Sequence, residues 1–456
     1  MEKDHVEIGD ELDILVRHDR RIEKLNKNFG DLLGKGLQLF SLGGGITYNL
    51  LSQILTDFHI KRGYYLVRSP LVTNTELYKI SGHLSYYKQN MYIFNIENEE
   101  YAIKPMNCPH HILIFINILE KYRKIKLPFR IFELGNVHRY EPSGSVYGLL
   151  RVRSFTQDDS HVFITPDLLE KEIEKLLDEM ILLYDKLFGI DLKRSEFKVR
   201  LSLHDPNKMN EYSGNKDDWE YVENIMRNVM NKLANKYGFS IYEGIGEAAF
   251  YGPKYDFTLK IGEKEWQLGT IQLDFNLPRN FKLIDLVKDY FGIDNLYIIH
   301  RAYLGSVERF IGAYLESFKG RLPFVLNPIQ VAIIKINTGN KEKDNKINEY
   351  GDKLYEELKN REIRVVKINS TKVELSNITR ILESIYKPSI TVYIGEKEVN
   401  ENIYSVRYYN LEKKNIEDKR LDIEGIYNLI EEMEKGVYEI NNKKYRLFED
   451  FNFIFE

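Results

Sequence analysis

Apolar and polar positions change period several times along the chain. In residues 46–62, ITYNLLSQILTDFHIKR, apolar side chains recur every three or four positions. Lys61 and Arg62 close that pattern and Gly63 follows, which predicts a helix with its stop. YYLVRSPLV then reads as a strand interrupted by Pro70, at a sheet edge or a bend. MYIFNIENEEYAI alternates as a hairpin with a polar turn at 97–100. PFRIFELGNVHRYE and VRSFTQDDSHVFI predict a second strand pair joined by the loop EPSGSVYGL. Helices are expected over 166–188 and 217–237. YDFTLKI and KEWQLGTIQLDF alternate as strands, and IDNLYIIHRAYLGSVERFIGAYLESF runs from a strand into a helix. Strands meeting in hairpins with helices grouped elsewhere predict α+β around a mixed, mainly antiparallel sheet.

The pattern changes near GRLPFVLNPIQ, residues 320–330. Beyond it VAIIKIN, YGDKLYEELKNRE, IRVVKIN, ITRILESIY, SITVYIGEKEV and YSVRYYN alternate strand and helix, as in a small α/β domain. Three parts are expected: a charged helix and linker over 1–35, a main domain over 36–322 and a smaller one over 323–456. The aromatic tail KKYRLFEDFNFIFE is expected to dock onto the body.

Composition narrows the class. The 456 residues are 43% hydrophobic and 29% charged, with a formal net charge of −4. That suits a globular protein with a full core, and any basic surface for nucleic acid must be local. One cysteine cannot close an intramolecular disulfide, which favours a reducing, cytoplasmic setting. The charged N-terminus does not read as a secretory signal, and no run approaches the ~18 apolar residues of a membrane span.

Two clusters carry candidate chemistry. The lone thiol, Cys108, lies in KPMNCPHH beside His110 and His111. It reads as a metal ligand, a nucleophile with a histidine base, or an inert buried side chain. A zinc reading needs ligands from elsewhere, and His161 of QDDSH and His300 of IIHR are candidates. The second cluster sets Arg139, Arg151 and Arg153 around a Gly-Ser loop. Guanidinium forks match phosphate oxygens, and small residues let backbone N–H groups approach an anion. Glu141, Asp158 and Asp159 add carboxylates that could hold Mg²⁺ or an ammonium. A further glycine turn, LGSVERF, carries Arg309, and two such elements suggest a polyphosphate ligand. There is no GxxxxGK[ST] and no credible GxGxxG.

Across residues 18–407 the sequence resembles the class II threonyl-tRNA synthetases. The similarity is carried by YAIKPMNCP, EPSG, RVRSFTQDDSH, AFYGPKYDF, GTIQLDFNLP and IHRAYLGSVERFIG. Motif 1 of that class is similar to KRGYYLVRSPLV, motif 2 to VHRYE and motif 3 to LGSVERF. The resemblance implies a class II catalytic domain, a homodimer seated on motif 1 and a C-terminal anticodon-binding domain. Its implied activity is ATP-dependent ligation of L-threonine to tRNA(Thr) through a threonyl-adenylate.

The resemblance also implies roles for residues. Cys108, His161 and His300 would bind one Zn²⁺ per subunit, with Mg²⁺ accompanying ATP. Arg139 and Arg309 would be catalytic and, with Glu141, Arg151, Phe155, Gln267 and Thr270, would bind ATP. Met106, Gln157, Asp159, Tyr251, Lys254 and Gln272 would surround threonine, and Glu398 and Arg407 would read anticodon bases. Relatives clear seryl-tRNA with a large N-terminal region; few residues precede Arg17, so a separate trans-editing protein is expected. Departures include His110 where glycine is usual, Tyr140 where asparagine is usual, and LSNITR and YYNLEK in the anticodon region. A rival reading is a noncatalytic synthetase paralogue that binds tRNA or a regulatory partner.

Overall fold

The computed structural model describes residues 33–40, 42–122, 125–193, 196–261 and 264–445. The charged segment at the N-terminus and most of the aromatic tail lie outside the described residues. Sixteen strands are described: β1 Tyr65–Leu66, β2 Val72–Asn74, β3 Tyr92–Ile96, β4 Glu99–Ile103, β5 Phe129–His138, β6 Ser154–Ile164, β7 Phe197–Leu203, β8 Ser240–Ile245, β9 Lys254–Ile261, β10 Lys264–Asp274, β11 Tyr297–Ser306, β12 Val331–Asn337, β13 Val365–Thr371, β14 Ile390–Ile394, β15 Tyr404–Asn410 and β16 Asn415–Leu421. The helices that bear on the site are α1 Leu42–Lys61, α2 Cys108–Tyr122, α3 Leu169–Leu182, α4 Lys216–Tyr237, α5 Leu283–Phe291, α6 Val307–Ser317, α7 Lys341–Asn360 and α8 Ile423–Asn441.

The main sheet runs β1-β5-β6-β11-β10-β9-β7-β8. Its five inner pairings are antiparallel, and only the outer pairs β1–β5 and β7–β8 are parallel. This is the mixed, mainly antiparallel α+β sheet expected. Pro70 separates β1, on the edge of this sheet, from β2, which joins the small sheet β2-β4-β3. The β3–β4 hairpin turns at Glu97 and Asn98, both at positive φ (49° and 68°), so the turn is tighter than the sequence predicts.

Strand alternation gives the sheet two faces. One packs against α1, α3, α4 and α6 in a continuous core that includes Leu50, Ile54, Phe58, Leu176, Met226 and Phe310. The other face is covered at one end by α2 and α5, through Ile112, Phe115, Leu283 and Val287 against Ile131, Phe163 and Ile298. The rest of that face is open and forms a cleft.

The smaller sheet, β13-β12-β14-β15-β16, carries α7 and the start of α8. The sequence pattern did not reveal β16, NIEDKRL, or α8. Charged side chains suit an edge strand, because they discourage further pairing. Helix α8 spans two cores: Ile426, Leu429 and Ile430 pack in the small domain, and Val437 and Ile440 in the main one. Beyond it, buried Tyr445 places its hydroxyl 2.9 Å from Asp57 of α1. No described helix is long and apolar enough to cross a membrane.

Candidate active site and metal centre

The cleft draws on six parts of the chain. Cys108 opens α2, and Met106 precedes it. Gln157, Asp159 and His161 alternate along β6, as Thr270 and Gln272 do on β10. Arg139 and Glu141 follow β5, and Arg309 lies in the first turn of α6, whose N-cap Ser306 accepts its backbone N–H at 3.1 Å. Arg151, Phe155, Tyr251, Lys254, Gln267 and His300 complete the lining. All the residues that the resemblance assigns to the main-domain site therefore border one cavity, whereas Arg153 of the arginine cluster does not and donates to the Glu141 carbonyl at 2.8 Å.

Asp158 is the exception among the acids considered. Strand alternation turns it to the opposite face, where it is fully buried. It accepts the backbone N–H groups of Tyr303 (2.8 Å) and Leu304 (3.0 Å) and faces Arg301 at 3.7 Å. Burial raises its pKa to about 7 despite Arg301. Its place is structural, and it offers nothing to a ligand in the cleft.

One end of the cleft is cationic. Arg139 lies over the rings of Phe155 (5.1 Å) and Tyr87 (5.8 Å). Arg309 donates to the carbonyls of Leu150 (2.8 Å) and Gln267 (3.3 Å), and burial, then Arg139 and Arg151, lower its pKa. Arg151 pairs with Glu141 at 2.9 Å. Crowded guanidinium groups of this kind favour a polyanionic ligand.

At the other end, one ligand atom each from Cys108, His161 and His300 lie within 4.8 Å of one another. His161 and His300 are cross-strand partners on β6 and β11. Their protons can be assigned from their neighbours. Asp274 accepts from His300 Nε2 at 2.9 Å, so in the neutral ring the lone pair lies on Nδ1. Glu133 accepts from His111 Nε2 at 3.2 Å, leaving His111 Nδ1 to accept from His161 Nδ1 at 2.7 Å. His161 Nε2 then also carries a lone pair, and it faces His300 Nδ1 at 2.8 Å. With both rings neutral, the two lone pairs turn towards one point, as two ligands of one metal ion do.

Burial, then His300 and His111, hold the His161 pKa well below the ordinary histidine value, so this ring stays neutral and able to ligate a metal. Burial, with Asp159 and Asp274, likewise pushes the Cys108 thiol well up, so its thiolate needs a nearby positive charge. Two imidazoles and a sulfur suit zinc, and the outer carboxylates orient the rings. The residues present fit that metal.

Asp159 faces this end and accepts from Asn107 Nδ2 at 3.0 Å. Asn107 in turn needs Gly135, where a Cβ would lie 2.4 Å from its side-chain oxygen. The Tyr251 ring centroid is 6.0 Å from that of His300. His110 turns to Thr73 Oγ1, at 2.7 Å.

Sequence reasoning passed over Asp274 and Asp256, and it named His111 only as a base for the thiol, whereas the ring lies between Glu133 and His161. Asp274 shares the face of Thr270 and Gln272 on β10, and Asp256 that of Lys254 on β9, so two-residue alternation was the available signal. In the small domain, Glu398 accepts the Gly395 N–H (2.9 Å) and the Ser405 hydroxyl (2.8 Å). Arg407 forms an ion pair with Asp418 at 2.8 Å.

Known proteins resemble the chain along nearly its whole length. Residues 92–318 match the family model of the tRNA synthetase class II core domain (G, H, P, S and T). The threonine–tRNA ligase catalytic subunit of Aeropyrum pernix is 45% identical, over 99% of each chain. A crystal structure assigned as threonyl-tRNA synthetase ThrRS-1 from the same organism superposes with a TM-score of 0.91, at 44% identity, covering 98% of this chain and 99% of that one. The threonine–tRNA ligase of Caldanaerobacter subterraneus is 39% identical over 89% of this chain, which spans 57% of its length. The chain belongs to the threonine–tRNA ligase family of class II aminoacyl-tRNA synthetases.

Proposed function

We propose that the chain charges tRNA(Thr) in two steps at this cleft. The threonine carboxylate attacks the α-phosphorus of ATP, giving threonyl-adenylate and pyrophosphate, and the terminal ribose hydroxyl of tRNA then attacks the adenylate carbonyl. Positioning and charge neutralisation carry such chemistry, so no enzyme nucleophile is required. Arg139 holds the α-phosphate through reaction, Arg151 meets the outer phosphates, and Arg309 binds the γ-phosphate end or the adenine ring. Phe155 stacks on adenine and Glu141 holds its amino group through Oε1, since Arg151 pairs with Oε2. Gln267 and Thr270 contact the nucleotide, which enters with Mg²⁺.

Cys108, His161 and His300 would hold one zinc ion per subunit, which would supply Lewis acidity to the amino and hydroxyl groups of threonine. Asp159 accepts from that hydroxyl and Gln157 orients the ammonium end. Met106, Tyr251, Lys254 and Gln272 enclose the rest. Valine leaves Asp159 without its donor, whereas serine keeps the hydroxyl and lacks only a methyl. Clearance of serine then falls to a separate polypeptide, a reading supported by the name "catalytic subunit" of the relative aligned over 99% of its length.

Residues 36–322 form the catalytic domain and 323–456 the anticodon-binding domain, with Glu398 and Arg407 reading bases. Exposed Tyr65, Leu66, Leu71 and Val72 support a homodimer seated on this edge. A cytoplasmic location accords with the single free thiol.

The observation that carries this reading is the convergence of the zinc-type triad and the arginine cluster on one cleft. Threonine-dependent ATP–pyrophosphate exchange, with and without a zinc chelator, tests it. Exchange that disappears on chelation and returns with zinc supports the synthetase. Absence of exchange in metal-loaded protein would favour a noncatalytic paralogue.

A further inference from the structure

Asp256 lies on β9 with no exposed surface and does not itself border the cleft. Three of its partners do. Its Oδ2 is 2.9 Å from Lys254 Nζ, and its Oδ1 accepts from Gln267 Nε2 at 2.6 Å and faces Thr270 Oγ1 at 3.5 Å. From behind, Arg200 and Ser202 of β7 donate to Oδ2 at 2.8 and 2.9 Å. One carboxylate thus ties three cleft side chains from β9 and β10 to a third strand.

We infer that Asp256 is a positioning residue for the reaction, setting the orientation of the Gln267 amide and the place of the Lys254 ammonium. An ionised carboxylate only accepts, so at 2.6 Å it must receive the Gln267 NH₂. The amide oxygen of Gln267 is thereby left as the group offered to the cleft, an acceptor matched to a hydroxyl or amino donor of the nucleotide. Thr270 donates its hydroxyl hydrogen to the Tyr255 carbonyl at 3.0 Å, so its oxygen is likewise presented as an acceptor. Lys254 spends one of its three donors on Asp256 and keeps the others for an anionic group. Lys254 and Gln267 are long side chains whose ordering costs rotamer entropy, and fixing them before the ligand arrives removes that cost from binding. β10 shifts register between Gln267 and Thr270, which brings both side chains to the same carboxylate.

This inference rests on the synthetase reading of the cleft. Wild-type exchange activity tests that reading; the comparison of variants with wild type tests the role of Asp256. In Asp256→Asn the amide can meet Gln267 with either its oxygen or its nitrogen, and the counter-charge of Lys254 is lost. Threonine-dependent exchange should show kcat/KM for ATP reduced by roughly tenfold to a hundredfold, with zinc content unchanged. The double variant Asp256→Asn/Gln267→Ala should lose less than the product of the two single losses, because part of the Asp256 effect runs through Gln267. A folded Asp256→Asn protein within twofold of wild type, or losses that multiply in the double variant, would overturn the inference. If Asp256→Asn does not fold, Asp256→Glu supplies the reading: it keeps the charge and moves the oxygens by one methylene. A fall of about fivefold or more in kcat/KM for ATP, with a wild-type melting temperature, supports the role of Asp256; wild-type kinetics overturn it.

Discussion

Gly436, in the middle of α8, lies against the carbonyl of Lys186 in the turn after α3. A Cβ at that glycine would come within 1.9 Å of the carbonyl oxygen. The contact is backbone to backbone, so no rotamer change can relieve it. Nearby, Asn441 Nδ2 donates to the Ile54 carbonyl at 3.0 Å. The last turns of α8 thus fasten the small domain to the main one.

Gly436→Ala should separate the two. Alanine gains about 1 kcal/mol of helix propensity over glycine, but the forced shift of α8 outweighs it. We expect a net loss of about 2 kcal/mol in thermal unfolding. On the proposed anticodon-binding role of the small domain, aminoacylation of tRNA should fall more than ATP–pyrophosphate exchange.

Asp274→Asn tests the carboxylate behind His300. The imidazole loses an anionic acceptor and with it much of the preference for the tautomer that leaves Nδ1 free. Zinc affinity should drop about 10–100-fold, measured by competition with a chromogenic chelator. Unchanged affinity would show that Asp274 does not orient the ligand.

Amino-acid selectivity follows from the chemistry around Asp159. Serine should support exchange with kcat/KM about 10–200-fold below threonine, the range for a missing small apolar group. Valine should be lower by ~10⁴-fold, since a site built for a hydroxyl is left unpaired. Exchange assays with each amino acid give the ratios directly, and comparable rates for valine and serine would contradict the role given to Asp159.

Glu308, beside Arg309, is buried and accepts the Thr156 N–H at 2.9 Å. Burial raises its pKa to about 7, against an ordinary 4.5. The folded chain therefore binds this proton more tightly than the unfolded chain. Its stabilising contribution is full below pH 4.5 and is lost as pH rises through 7. Relative to Glu308→Gln, wild type should lose about 3 kcal/mol between pH 4 and 8. Denaturant titrations of both proteins across that range give the difference; parallel curves would mean that Glu308 titrates alike in the folded and unfolded chain.

Much of the site was legible in short motifs. Cys108, His161 and His300 could be nominated from residue type, and their grouping came from resemblance to a family. The arginine cluster was legible because guanidinium groups around glycine-rich turns have few other uses. Asp158 shows the limit: it sits between two cleft residues in QDDSH, and only its strand face separates it from Asp159. Helix α8 escaped notice because its apolar residues serve two different cores.

The sequence alone determined the periodicities of most strands and helices, the family resemblance and the identities of the cleft residues. Tertiary structure decided which of those residues meet. The β6–β11 register sets His161 against His300, the order β11-β10-β9-β7 gathers Arg200, Asp256 and Gln267, and the covered end of the sheet leaves the cleft open. Cross-strand pairing joins positions as much as 149 residues apart, as between Gln157 and Ser306. Local periodicity carries no record of partners at that separation, because they are selected by the burial of whole sheet faces.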